Sequence, residues 1–166
     1  KLYKKINGDS YVTLTLRDYG YSSNRSTSQS DVDKSILFAN MLNAKLIIIP
    51  DVLENLSKYI IPKNILISIS ARKDINDRIK IYSNSLVNLF TPCGPCSISL
   101  FIKGAKSICF NWAKGGFDNS EVFFSKEYNL KLAEQPYLNI KGYLLWNSLY
   151  PDYTANDLMY AYNQLS

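Results

Sequence analysis

Apolar residues in this chain fall into short runs, each closed by turn-forming residues, with helical spacings between the runs. Tyr11-Val12-Thr13-Leu14-Thr15-Leu16 is β-branched and apolar and predicts a strand that ends at Arg17-Asp18. Residues 19–30 form a Gly/Ser/Asn loop containing Asn24-Arg25-Ser26. Ser30-x-x-Asp33 matches a capping box with Asp in the Glu position. Val32, Ile36, Ala39 and Met41-Leu42 then give a helix an apolar face to about Asn43. Residues 45–49 are continuously aliphatic after Lys45, as in a strand covered on both faces, and stop at Pro50-Asp51. Residues 52–61 predict a short helix or turn, ended by Pro62. A third strand is expected over residues 64–70, NILISIS. Ala71-Arg72-Lys73-Asp74 then opens a helix over about 75–85, with Ile75, Ile79 and Tyr82 as its apolar residues.

Residues 82–112 read as strand, tight turn, helix and strand. Leu86-Val87-Asn88-Leu89-Phe90 favours β structure, and Thr91-Pro92-Cys93-Gly94-Pro95 breaks it. A short apolar helix is expected over 96–103 with Gly104 as its C′ residue, then a strand over 107–110. Residues 113–119 are a Gly-rich loop, and 121–132 fit a short strand followed by a helix. Gln135-Pro136-Tyr137 is a turn, and 142–146 predict a last strand or an extended segment. Thr154-x-x-Asp157 caps a terminal helix that packs through Leu158, Met159, Tyr162 and Leu165. Strands and helices therefore alternate. That order predicts an α/β, Rossmann-like parallel sheet of about five strands with helices on both faces, in one domain spanning residues 1–166.

Composition narrows the chemistry. With 46% hydrophobic and 20% charged residues in 166, the chain is globular and long enough for a full core. Its net charge of +5 permits an anionic ligand, but the charges are scattered, so nucleic acid is not expected as a partner. There is no His, which removes a Ser-His-Asp triad, a His-ligated metal and a histidine base. Three Cys make no disulfide framework, so a reducing cytoplasm is the expected compartment, with membrane association left open. No run is long enough to span a membrane.

In an open parallel sheet the carboxyl ends of all strands lie on one rim. Arg17, Asp51, the Ser70-Ala71-Arg72-Lys73 group and the Cys93-Gly94-Pro95-Cys96-Ser97 turn are expected there. Arg17 and Arg25 have the guanidinium geometry to clamp a phosphate, and Ser26 and the backbone at Gly94 add donors. The plainer alternative is a pair of solvated loop arginines beside an ordinary βα loop. Asp51 and Asp74 are candidate ribose or sugar partners, and equally helix caps.

The stretch LTLRDYGYSSNRSTSQSDVDKSILFANMLNAKLIIIPD resembles the nucleotide-binding half of GT-B-type glycosyltransferases, closest to bacterial surface-polysaccharide and fucosyltransferase-like groups. IYSNSLVNLFTPCGPCSISLFIKGAKSICFN is similar to their late Gly-Pro turn, helix and strand carrying Phe-Asn. QPYLNIKGYLLWNSLYPDYTANDLMYAY is similar to their closing Gln-Pro turn, Leu-Trp strand and final helix. The loop has Asn-Arg-Ser where the family has Arg-Asn-Ser. The resemblance implies a nucleotide-sugar donor as substrate, its diphosphate held by Arg17, Arg25 and the Gly94 turn. It also implies a glycan or lipid-linked acceptor, and neither metal nor cofactor. A whole GT-B enzyme needs an N-terminal acceptor domain as well, so the chain is expected to be a fragment, a subunit or a domain that no longer catalyses.

Two other classes compete. Cys93-Gly94-Pro95-Cys96 is the dithiol sequence of thioredoxin-like proteins, where a helix N-terminus makes the first thiol nucleophilic. Pro136 falls near that family's cis-proline, but Pro92 stands where the family has Trp, and the βαβαβ region ahead of the motif does not fit. Cys109 reads as a small core residue. A non-catalytic binding domain, with its many tyrosines forming a carbohydrate or partner surface, is the third class.

Overall fold

The computed structural model describes residues 8–18, 26–51, 53, 56–91, 93–99, 101–110, 145–148 and 153–165. Six strands lie among them: β1 (Tyr11–Leu16), β2 (Lys45–Pro50), β3 (Leu66–Ile67), β4 (Val87–Phe90), β5 (Ser107–Phe110) and β6 (Leu145–Ser148). They make one sheet in the order β3-β2-β1-β4-β5-β6, parallel at every pairing. The helices are α1 (Gln29–Met41), α2 (Ser70–Lys73), α3 (Ile75–Asn84), α4 (Gly94–Ser99) and α5 (Ala155–Gln164), with a 3₁₀ turn at Leu56–Lys58. This is the predicted α/β, Rossmann-like architecture, with six strands rather than about five. The sixth lies at the end of the segment read as a last strand or extended.

Side chains alternate along each strand, so the sheet has two distinct faces. One face presents Val12, Leu14, Leu16, Leu46, Ile48, Val87, Leu89, Ile108 and Phe110 to Val32, Phe38 and Ala39 of α1 and to Leu158 and Ala161 of α5. The other presents Tyr11, Ile47, Ile49, Phe90 and Cys109 to Ala71, Ile81 and Tyr82 of α2 and α3. Burial on both faces explains why β2 reads as an unbroken aliphatic run. The second face also carries buried polar groups that satisfy one another. Thr13 Oγ1 donates to Asn88 Oδ1 at 2.7 Å, and the hydroxyls of Thr15 and Tyr82 lie 2.7 Å apart. Asn88 Nδ2 donates to the carbonyls of Tyr82 (3.2 Å) and Lys106 (3.1 Å). These bonds set α3 against β1 and β4.

Several local expectations change. Two Ser-x-x-Asp patterns overlap at the start of α1, and the cap is Ser28 with Asp31, not Ser30 with Asp33. The backbone N–H and hydroxyl of Ser28 donate to Asp31 Oδ2 at 2.7 and 2.8 Å. Asp31 is buried, and its Oδ1 accepts from Tyr153 Oη at 2.8 Å, from the far end of the chain. Asp33 is exposed and accepts from Gln29 Nε2 at 2.8 Å. Of two equivalent local signals, the cap forms at the one whose Asp also has this tertiary partner. The expected strand over 64–70 shrinks to β3, because at the sheet edge the chain turns into α2. The helix expected over about 75–85 is α3, and the short α2 precedes it: Asp74, between the two, is extended, and its carboxylate caps Asn76 N–H at 2.8 Å. The inward residues of α3 are Arg78, Ile81 and Tyr82, whereas Ile75, expected inward, is 56% exposed. α4 starts earlier and ends sooner than the helix expected over 96–103. Gly104 has φ +77°, in the region that favours glycine, but it closes a turn before β5 and does not directly end α4.

Burial, and after it the Asp31 carboxylate, pushes the Tyr153 phenol well above its ordinary pKa, so it donates at any working pH. Tyr153→Phe removes a hydrogen bond to a buried carboxylate and is expected to cost about 1.5–3 kcal/mol. Urea unfolding measures this, and a change under about 0.5 kcal/mol, typical of an exposed site, would show that the bond does not tie α5 to α1.

Candidate functional site

The chain leaves β1 through α1 to reach β2 on one side, and leaves β4 through α4 to reach β5 on the other. The carboxyl ends of β1 and β4 therefore flank the crevice in which open α/β sheets bind ligands. Arg17 is the first residue past β1. It is 7% exposed, and it follows Thr13 and Thr15 in the strand alternation, toward the face covered by α2 and α3. Its backbone is clamped to Thr27: Thr27 N–H donates to the Arg17 carbonyl at 2.8 Å, and Arg17 N–H donates to Thr27 Oγ1 at 3.0 Å. Tyr59 Oη donates to the Thr27 carbonyl at 2.9 Å. Ser26, half-buried, thus lies one residue from a fixed point on the rim. Arg25 lies outside the described residues.

On the β4 side, Cys93 is half-buried and packs against the second core cluster, and Gly94 begins α4. A Cβ added at Gly94 would meet open space, and its φ is not positive, so neither packing nor backbone strain demands glycine there. α4 has six residues, under two turns, so its dipole is short and makes no anion site by itself. Pro95 is half-buried and Ser97 exposed. Cys96 lies within α4, and its side chain is outside the description. Thr91, also past β4, is buried, and its Oγ1 has no hydrogen-bond partner among the described residues.

The densest chemistry lies beside this crevice, over β2. Asp51 N–H donates to the Leu16 carbonyl at 2.9 Å, which holds Asp51 next to Arg17. Arg72 Nε donates to the Asp51 carbonyl at 2.8 Å. Arg78 Nη1 lies 3.6 Å from Asp51 Oδ1, and Arg78 Nε donates to the Ala71 carbonyl at 2.7 Å across the α2–α3 break. Asp51, Ala71, Arg72, Lys73, Ile75, Arg78 and Ile98 line an open cleft of about 320 Å³. Ser70 opens α2, exposed, outside that lining. Arg72 and Lys73 both line this cleft, and Arg17 acts on the same carboxylate. Arg78 was missed. It sits where a helix buries its inner stripe, and its charge reads in sequence as a solvent-facing position. The one available signal is its spacing: Arg78 falls three and four residues before Ile81 and Tyr82.

Among the described residues no group of His, Cys, Asp or Glu is placed to hold a metal ion. No helix among them is long and apolar enough to cross a membrane. Compared with known protein families and with curated proteins, the sequence matches none.

Burial raises the Asp51 carboxyl above its usual value, against the pull of Arg78, Arg17 and Arg72. A carboxyl raised on folding binds its proton more tightly in the folded state. Its contribution to stability is thus greatest below the unfolded value of 3.8 and declines as pH rises through the raised value. Asp51→Asn abolishes that dependence. The stability of the variant relative to the parent should therefore rise between about pH 3.5 and about pH 6. Urea unfolding of both proteins at the two pH values checks the sign, and the opposite slope would mean that the arginines outweigh burial.

Proposed function

We propose that this domain binds a nucleotide-sugar donor at the crevice between β1 and β4 and serves glycosyl transfer in glycan or polysaccharide synthesis. The observation that carries the reading is the cationic rim at the topological switch point. Arg17 is held at the end of β1 by the Thr27 clamp, with Arg72 and Arg78 around Asp51 beside it. A doubly wound parallel sheet offers ligands this crevice. Thr91 Oγ1, buried and without a hydrogen-bond partner among the described residues, is a group that a ligand would satisfy. In glycosyl transfer from a nucleoside diphosphate sugar, negative charge develops on the leaving diphosphate, and preorganised cations stabilise it. This requires no histidine, and the chain has none. Arg17 is assigned to the diphosphate, with Arg25, Ser26 and the backbone at Gly94 as further donors. The acceptor, a glycan or a lipid-linked glycan, would meet the donor from a second domain or subunit.

Calorimetric titration with UDP, GDP, CDP and ADP tests the reading. One of the four is expected to bind, and Arg17→Lys, which keeps the charge but loses the planar fork, should weaken it about tenfold with the melting temperature retained. No binding by any of the four, or equal binding by parent and variant, would overturn the diphosphate assignment.

A further inference from the structure

The cleft over β2 carries an imbalance that the fold by itself does not explain. Among the described residues, three cations, Arg72, Lys73 and Arg78, line it with a single carboxylate, Asp51. Asp74 and Asp77 are nearby in sequence but belong to the start of α3 and do not line the cleft, and the Asp74 carboxylate is engaged in the cap. Arg78 is only 6% exposed. Withdrawing a guanidinium from water is costly unless an opposite charge and hydrogen bonds replace its hydration. Asp51 does this incompletely: its carboxylate is 3.6 Å from Arg78, beyond good hydrogen-bond distance, and it answers to Arg72 and Arg17 as well. An apolar side chain at position 78 would pack α3 against the sheet without any of this cost.

We infer that the cleft formed by Asp51, Arg72, Lys73 and Arg78 is an anion site for a phosphoryl or pyrophosphoryl group. Guanidinium forks match phosphate oxygens in pairs, and a lysine adds a mobile point charge. Here the two arginines are fixed through Nε, Arg72 to the Asp51 carbonyl and Arg78 to the Ala71 carbonyl. Lys73 is exposed at the mouth. Asp51 positions the arginines and limits the excess charge of the empty cleft. Ile75 and Ile98 add apolar surface to the lining, suited to the organic part that carries the phosphoryl group. At about 320 Å³ the cleft is at the small end of ligand sites, which run to about 1,000 Å³. The inference shares Arg72 and Arg78 with the glycosyltransferase reading but does not require it, because inorganic pyrophosphate and the phosphoryl groups of a nucleotide present the same chemistry.

Titration of the full chain with inorganic pyrophosphate, orthophosphate and the nucleoside diphosphates, followed by calorimetry and phosphorus NMR, tests it. Pyrophosphate is expected to bind the parent, more weakly as salt rises. Lys73→Glu and Arg72→Ala should each weaken that binding about tenfold or more while thermal melting confirms the fold. Arg78→Lys, which keeps the buried charge, guards against a variant that fails to fold and should also bind more weakly. Pyrophosphate binding that depends on Arg72 and Lys73, with no nucleoside diphosphate binding any tighter, supports the cleft and removes the nucleotide reading. Nucleoside diphosphate binding that depends on Arg17 but is unchanged in Lys73→Glu and Arg72→Ala overturns the cleft and leaves the nucleotide reading intact. The absence of binding by any of these anions overturns it too.

Discussion

The parallel pairing of β1 with β2 on one side and β4 on the other is the constraint from which the rest of this structure follows. Backbone hydrogen bonds set Leu16 opposite Pro50 and Thr15 opposite Phe90. Parallel pairing brings the strand ends to one rim, and the opposed connections through α1 and α4 open a crevice between them. Because β1 is buried on both faces, its register cannot slip by one residue without exchanging Val12, Leu14 and Leu16 for Thr13 and Thr15. That register also sends Arg17 to the face where Asp51, Arg72 and Arg78 gather.

The buried polar groups divide into two kinds. Thr13, Thr15, Tyr82 and Asn88 satisfy one another, as does the group formed by Ser28, Asp31 and Tyr153, and these give the fold its alignment. The arginines around Asp51 are different. They are tied to backbone carbonyls and share one carboxylate that burial pushes toward its neutral form. Arg78, buried with its nearest carboxylate oxygen at 3.6 Å, is poor architecture for stability, and it is the observation on which the inferred anion site rests. On the face covered by α2 and α3, the satisfied Thr13–Asn88 and Thr15–Tyr82 pairs and the arginines around Asp51 show the two kinds side by side.

The amino-acid order alone determined a good deal. The aliphatic runs at 11–16, 45–50, 87–90 and 107–110, with helical spacings between them, dictated an α/β parallel sheet. Periodicity and burial on two faces leave that sequence few other solutions. The terminal helix was legible too, because Thr154 and Asp157 are the only capping pair near its start. Arg17 stands directly past β1, where the strand pattern put it, whereas Arg72 and Lys73, read as following a strand that ends at residue 70, lie within α2.

What only the tertiary structure decided concerns choices between equal local signals. Ser28 and Ser30 both begin a Ser-x-x-Asp pattern, and the cap forms at Ser28, where Asp31 also accepts from Tyr153, far along the chain. The stretch 64–70, read as a strand, yields two paired residues, Leu66 and Ile67, because at the sheet edge the chain turns into α2. Arg78 looked like a solvent-facing charge, and the break at Asp74 set the phase of α3 so that it turned inward onto Asp51. Periodicity assigns a residue to a face of its own element. Which face meets the core, and which buried charge finds a partner there, depends on distant segments arriving at the same place.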